Sequence, residues 1–494
     1  MSARVVALAI VVAIGGTVIS CGGNPTGPAA QCGIANRCSG VTLSKLTLTP
    51  SYDTLLAGDA TQIVFAATDA SGNSISNVKV KYSSSNVHVA TVDTSGLVRA
   101  IAPGSATVTI AAGGLTASSL LTVLAPTVVG LTAGSDDSCM LLPLGRGYCW
   151  GLDTDGQLGS GVSSTCFGNG GAPLSCAIAP VPISGGLRMT TISAGGIATC
   201  GLATTGAAYC WGDNSFGELG INSIAGTSTP VPVTGELRFT SISVGGGHVC
   251  AIATAQRTFC WGNNASGQLG DAQSINSTTP IQVTGGPFVA VTAGGVHTCG
   301  LTSAGIAYCW GDNTAGQLGA GFAGGTSATP VPVAGGQTFA AISAGALHTC
   351  GVVKGGSVYC WGDNTSGELG LAAGPGSSAT PVLVTGVSAI SQVSAGDGFT
   401  CALSGTGVVC WGSNAFGQLG AGAVGGVSAA PQSVTGGMPF GSVTAGARHV
   451  CAVVSGGANA GRAACWGSDI FGALGNSRQA TLSASPVLVG SPLD

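Results

Sequence analysis

Paired cysteines are the residues in this sequence whose spacing most plainly could do chemistry. Cys139 and Cys149, Cys200 and Cys210, Cys250 and Cys260, Cys299 and Cys309, and Cys350 and Cys360 stand ten apart, Cys401 and Cys410 nine apart, and Cys451 and Cys465 fourteen apart. Such thiols either hold metal or oxidise to disulfides. The short Cys-x-x-Cys spacing that zinc sites favour is missing. Length changes fall between the two cysteines while both persist, as expected of residues facing each other on adjacent strands. One disulfide per pair is expected, each contributing roughly 2 to 3 kcal/mol through the unfolded state.

Histidine offers a second chemistry. His248, His297, His348 and His449 each lie two residues before the first cysteine of a pair, where the other units have Asp137, Ala198 and Phe399. A metal or acid–base ring has no use for Ala and Phe, so a packing role is expected. Each pair is followed by Trp-Gly and an Asx residue: Asp153, Asn214, Asn264, Asn313, Asn364, Asn414 and Asp469. Five of the seven are amides, which argues for Asx turns over paired carboxylates. A Gly-x-Leu-Gly then recurs from Gly156-Gln157-Leu158-Gly159 to Gly472-Ala473-Leu474-Gly475. No Lys-Ser or Lys-Thr follows it, so it is no phosphate cradle; its glycines serve tight turns and its Leu fills space between units. No nucleophile, base and orienting residue recur together, and no catalytic, cofactor or metal site is expected.

The elements that position these residues are short strands. Only 6% of residues are charged and 86 are Gly, and no amphipathic helical run is present. Every Trp belongs to the repeat, at 150, 211, 261, 310, 361, 411 and 466, with separations of 61, 50, 49, 51, 50 and 55. A period near 50 with about four strands per unit points to a propeller. Ala293-Gly294, His297-Thr298, Trp310-Gly311-Asp312-Asn313 and Gly316-Gln317-Leu318-Gly319 carry a resemblance to the regulator of chromosome condensation repeat. The resemblance implies a seven-bladed β-propeller over 127–494, in a superfamily that includes the β-lactamase inhibitor protein II. The Pro-led segment Ser485-Pro486-Val487-Leu488-Val489 follows the last Gly-x-Leu-Gly and is expected to complete the first blade, tying the ring.

Before the repeats, residues 43–124 alternate apolar and polar between turns such as Asp69-Ala70-Ser71-Gly72-Asn73, the pattern of a small β-sandwich. Tyr82-Ser83-Ser84-Ser85-Asn86, Val89-Ala90-Thr91-Val92-Asp93 and Pro103-Gly104-Ser105-Ala106-Thr107-Val108 resemble the bacterial immunoglobulin-like domain, group 2. That resemblance implies a spacer or adhesive module without catalysis, in which Tyr82 replaces the Trp common in the family. The fold class is therefore all-β, a sandwich followed by a propeller.

The first 20 residues read as an export signal, Arg4 followed by an apolar run from Val5 to Ile19. Val18-Ile19-Ser20-Cys21 resembles a bacterial lipoprotein box, which implies lipid on Cys21. Residues 21–42 form a Gly- and Pro-rich tether. Export permits disulfides. Of 19 cysteines, Cys21 is set aside and eighteen remain, including Cys32 with Cys38 and Cys166 with Cys176. The last pair lies in an irregular stretch: 30 residues separate Trp150 from Pro180, against 19 or 20 in the other units. The loop with Cys166, Phe167, Asn169, Leu174 and Cys176 is the candidate binding loop.

Residues 127–494 hold eight Lys and Arg against fourteen Asp and Glu, a net of −6. A basic footprint is missing, so nucleic acid is not an expected partner. The function expected is that of a monomeric binding protein, lipid-anchored at a bacterial membrane or cell surface, that presents the propeller to a protein or glycan ligand. The membrane is touched only through the N-terminal lipid. Two alternatives come from resemblance: inhibition of a secreted enzyme, and guanine-nucleotide exchange, which export separates from any cytosolic GTPase.

Overall fold

The computed structural model describes residues 37–38, 41–48, 53–161, 164–167, 173–371, 376–478 and 482–492. The signal segment, Cys21, Cys32 and Asn169 lie outside them. Contacts divide the chain into two units, 1–126 with 493–494, and 127–492.

In the first unit the hairpin Gly104–Ala112 with Leu115–Leu124 is flanked by Lys81–Ser84 and Thr54–Leu56, and a second sheet joins Ala60–Gln62, Leu97–Ala100 and Ala90–Val92. The alternation read from sequence is explicit here: Ala106, Val108, Ile110 and Ala112 point into the core while the residues between them do not. Tyr82 packs partly buried against the group around Ile110, and burial raises its hydroxyl pKa. Asp69 closes its turn by accepting the backbone N–H groups of Ser71 and Asn73 at 2.8 and 2.9 Å.

The second unit is a succession of seven antiparallel sheets, six of them four-stranded meanders in chain order and the first a meander with one further strand outside its fourth. In the fourth, Ala290–Ala293, His297–Leu301, Ala307–Asp312 and Thr326–Pro332 lie side by side. The second strand is buried at every residue because sheets cover both its faces, whereas the fourth is only half-covered. Pro330 sits on that outer edge, where a missing N–H costs no ladder bond. Backbone bonds link the turn between first and second strands of one sheet to the same turn of the next, as in Ser135 N–H to Gly195 O (2.9 Å), Gly196 to Gly245 (2.9 Å) and Gly246 to Gly294 (3.0 Å). Glycine is required there: a Cβ on Gly195 would stand 2.4 Å from Gly245 O. The turns surround a funnel of about 230 Å³.

The ends of this unit meet, but not as expected. Leu482–Leu488 pairs with Ala463–Ser468 and completes the last sheet, while the first sheet has its own fourth strand, Pro173–Pro182. The Pro-led segment after each Trp belongs to that Trp's own sheet, so none is left over to exchange. First and last sheets are instead joined by Ala447 N–H to Gly134 O at 3.1 Å, by Trp150 Nε1–H to Ala473 O at 2.8 Å and by an Arg448–Asp136 ion pair at 2.7 Å.

Candidate functional site

The repeated residues build the seams between sheets. In all seven hairpins the two cysteines are directly opposed and bonded, with Cα–Cα separations of 4.0 to 4.1 Å. Each following Trp is sealed from solvent, and its Nε1–H reaches the carbonyl of the variable residue in the preceding sheet's Gly-x-Leu-Gly. Trp310 donates to Gln268 O at 2.9 Å and Trp361 to Gln317 O at 3.0 Å. The last glycine of that motif lies against the same indole, so a Cβ on Gly270 would meet Trp310 Nε1 at 2.7 Å. Leu158, Leu219, Leu269, Leu318, Leu369, Leu419 and Leu474 are buried beside it.

The histidines belong to the same seams. His248 Nε2 meets Thr298 Oγ1 of the next sheet at 2.8 Å, His297 meets Thr349 at 2.9 Å, His348 meets Thr400 at 2.8 Å, and His449 meets Ser138 at 2.7 Å. Thr298 donates its own proton to Gln268 O at 2.8 Å, so it accepts from the His248 Nε2–H. Nδ1 of each ring has no hydrogen-bond partner. Burial lowers the pKa of His248, His348 and His449 to about 4 and that of His297 to about 3, the last helped by the neighbouring His348 and His248. These rings stay neutral at physiological pH. Ser138 and His449 have the look of a hydrolytic dyad, yet both are sealed from solvent and the pair repeats the His–Thr seam. The sequence held a signal for this that single-position comparison misses. Ala198 faces a following sheet with Val249 and Phe399 one with Val450, so His is absent where the next sheet lacks a hydroxyl. Asp137, at the same position, is buried, and burial with Asp136 nearby raises its pKa well above the carboxylate range.

The Asx residues do more than the expected turn. Asn214, Asn264, Asn313, Asn364 and Asn414 accept, through Oδ1, the N–H of the buried Leu five residues on, at 2.9 to 3.2 Å. The amide NH2 of four of them reaches across to hold the variable loop: Asn214 to Ser223 O and Ala225 O, Asn264 to Gln273 O and Ile275 O, Asn313 to Phe322 O, and Asn414 to Ala423 O. A carboxylate has no such donor, which accounts for the preference for Asn over Asp. The short turn is made one residue earlier, for example by Asn263 accepting from Ala265 N–H at 2.9 Å. Held this way, the loops display Ile224, Ile275, Phe322 and Val424 at 67, 70, 55 and 47% exposure.

The candidate loop of the first sheet is a hairpin. Ser164–Phe167 pairs with Pro173–Cys176 and widens the sheet to five strands. Cys166 and Cys176 are disulfide-bonded and buried, and Leu174 is half-buried. Ala177 and Cys176 pair with Gly151 and Leu152, so excising 164–177 as one piece would cut into the fourth strand and is no neutral deletion. Beside this hairpin a groove of about 440 Å³ runs between Asp153, Asp155 and Ser175 of the first sheet and Thr227 and Ser228 of the second.

All these loops emerge at one end of the strands, because in an antiparallel meander the connections from first to second and from third to fourth strand share an end. Charge follows that division. The loop end carries twelve of the Asp and Glu with Arg448 and Arg478, whereas the opposite end carries Arg146, Arg188, Arg238, Arg257, Lys354 and Arg462 against Glu236. The diffuse balance read from sequence is thus a segregated one, and the basic footprint missing from the sequence pattern exists as a face. Among the described residues no group of three or more His, Cys, Asp or Glu could hold a metal ion, and no helix is long and apolar enough to cross a membrane.

The Regulator of chromosome condensation (RCC1) repeat model matches residues 205–252, 257–301, 304–352, 355–403 and 407–453, and a second model of that repeat matches 189–218, 288–317, 339–368 and 390–418. The Bacterial Ig-like domain (group 2) model matches 44–122. Among solved structures, human WBSCR16 is similar at TM-score 0.62 and 22% identity, covering 70% of this chain and 95% of its own. Yeast RCC1 (Prp20), in its complex with Kap60, is similar at TM-score 0.60 and 19% identity, covering 74% of this chain and 85% of its own. At such identities the likeness speaks for the fold. The chain therefore carries RCC1 repeats, folded in the manner of RCC1 propellers, behind a bacterial Ig-like domain of group 2.

Proposed function

We propose that this chain is a lipid-anchored, extracytoplasmic interaction protein, without catalysis of its own, whose Ig-like domain serves as spacer for a seven-bladed propeller that binds a protein ligand on its loop face. The observation that carries the reading is the disulfide bond between directly opposed cysteines in every one of the seven sheets. A reducing cytosol would not keep that set intact. The sequence Val18-Ile19-Ser20-Cys21 supplies the matching anchor signal. A rigid frame with loops varied from unit to unit suits recognition, and a protein of this fold, yeast RCC1, is found bound to another protein, Kap60.

The test has two arms. Metabolic labelling with a radioactive fatty acid should mark the wild-type protein and not Cys21→Ala. Thiol counting on protein isolated from its host without reductant should find the hairpin cysteines blocked. Unlabelled protein sinks the anchor, and free hairpin thiols sink the exported location.

A further inference from the structure

The loop face combines exposed apolar side chains with carboxylates, and the carboxylates do not recur on the opposite face, where Glu236 is the acid among the described residues. Its outer loops present the exposed side chains of Ile224, Ile275 and Phe322, each on a loop held from beneath by a buried Asn. Nearer the funnel, Ile197, Phe216 and Leu347 are 37, 41 and 39% exposed. Between these apolar positions lie the carboxylates Asp155, Asp213, Asp271, Asp363 and Asp397, all exposed or half-buried. Of the two cations on this face, Arg448 is engaged by Asp136 at 2.7 Å, lies over the Phe416 ring at 5.5 Å and offsets the charge of Asp397, which leaves Arg478 against the other four acids.

From this we infer that the loop face takes a cationic, apolar-bearing protein segment: one that places Lys or Arg between large aliphatic or aromatic side chains. The inference rests on the protein-binding reading above and names the partner's chemistry. Charge complementarity carries it. Carboxylates spread over one face sum their fields toward an approaching cation, steer it, and repel acidic or polyanionic partners. The apolar tips then supply the area that a purely electrostatic encounter lacks. A second copy offering its basic face is the competing occupant. Head-to-tail stacking of that kind does not close and would run on into filaments.

The probe is a peptide of about 18 residues built from Lys and Leu, long enough to form an amphipathic helix, with two counterparts in which every Lys is Glu or every Leu is Ser. Binding to the full chain is measured by fluorescence anisotropy. The Lys–Leu peptide should bind, the Glu peptide should not, and the Lys–Ser peptide should bind at least about tenfold more weakly. Asp213→Asn, Asp271→Asn and Asp363→Asn combined remove three charges while keeping one acceptor oxygen apiece, and should weaken Lys–Leu binding about tenfold, as should Ile224→Ser, Ile275→Ser and Phe322→Ser combined. Raising salt to about 300 mM should weaken the wild type and leave the carboxylate variant nearly unchanged. Arg238→Gln, Arg257→Gln and Lys354→Gln combined, on the opposite face, should change nothing.

Equal binding of the Glu peptide, or insensitivity to both loop-face variants, overturns the inference. So does salt-sensitive self-association of the chain alone in sedimentation, which would assign the face to a second copy. A captured native partner that is lost with the apolar variant but retained with the carboxylate variant would overturn the cationic class while leaving protein recognition standing.

Discussion

The seams between sheets and the loops of the acidic face come from the same seven units, yet one is uniform and the other varied. At the seams, Trp, Cys and the Leu of Gly-x-Leu-Gly recur without exception, and each makes its contact with a neighbouring sheet or strand. On the loops, residues 221–226, 271–276 and 320–325 share little beyond an exposed apolar side chain. The difference teaches that repetition here marks load shared by symmetry, whereas recognition is to be sought where the copies disagree.

Breaking a seam should cost far more than altering a loop. The largest effect is expected for Trp310→Ala, which empties a site walled by Leu269, Val283 and Phe288 and leaves Gln268 O with Thr298 alone. A loss of about 3 to 5 kcal/mol is expected in denaturant unfolding, against under ~0.5 kcal/mol for Ile275→Ser on the neighbouring loop. Equal losses would erase the distinction between the two regions.

Next comes one disulfide. Cys299→Ser with Cys309→Ser should cost about 2 to 3 kcal/mol, the closure entropy of a ten-residue loop. Cutting Cys166 from Cys176 in the same way should cost the ring less, because Cys166 lies on the extra strand and the bond ties that strand, not two of the four shared by all sheets, to the fourth.

The His–Thr contact sharpens the comparison within the seams. A double-mutant cycle of His297→Ala and Thr349→Val should give a coupling of ~1 kcal/mol. Ala198→His, placed opposite Val249, should destabilise, since it buries an imidazole with no hydroxyl to meet. Acid should act on the same groups. An unfolded histidine takes up its proton near its ordinary 6.5 and these folded ones only near 4 or 3, so their stabilisation is complete above pH 6.5 and falls as pH drops toward 4. The Tm should decline over that window, and a variant with all four replaced by Phe, or by another neutral side chain that folds, should decline less.

The smallest effect is at Glu368, where Gln157, Gln268, Gln317 and Gln418 stand in other sheets. Its carboxyl accepts Ser366 N–H at 2.7 Å, and burial raises its pKa from 4.5 to about 7, with Asp363 adding to the rise. A raised folded pKa means stability that is whole below pH 4.5 and is lost as pH climbs through 7. Glu368→Gln should therefore leave the unfolding free energy unchanged near pH 4.5 and raise it at pH 8, by on the order of 1 kcal/mol after solvent screening. A variant no more stable at pH 8 than the wild type would contradict this.

Most of the fold was legible because its determinants are local and repeated. Period-two alternation marks Gly104–Ala112, and the constant pairing of Cys with Cys across a turn of variable length marks seven hairpins whose registers all place the sulfurs opposite one another. The expected swap of Ser485–Val489 into the first sheet failed because a strand's neighbour is chosen by chain continuity within each meander, which a one-dimensional count of Pro-led segments does not reveal. The candidate binding loop reads in the sequence as one irregular stretch, whereas its far side, with Leu174 and Cys176, is the start of the fourth strand.

What the amino-acid sequence by itself determined is the set of sheets, their internal order and the residues at their seams, since each follows from patterns within about 50 residues. Only the tertiary structure decided which units touch. It paired His248 with Thr298 across a seam, let Asn214 hold Ser223 and Ala225, and gathered six cations, Arg146, Arg188, Arg238, Arg257, Lys354 and Arg462, onto one face and twelve carboxylates onto the other. The physical reason is geometric: closing antiparallel meanders into a ring converts the alternation of connections along the chain into two faces in space.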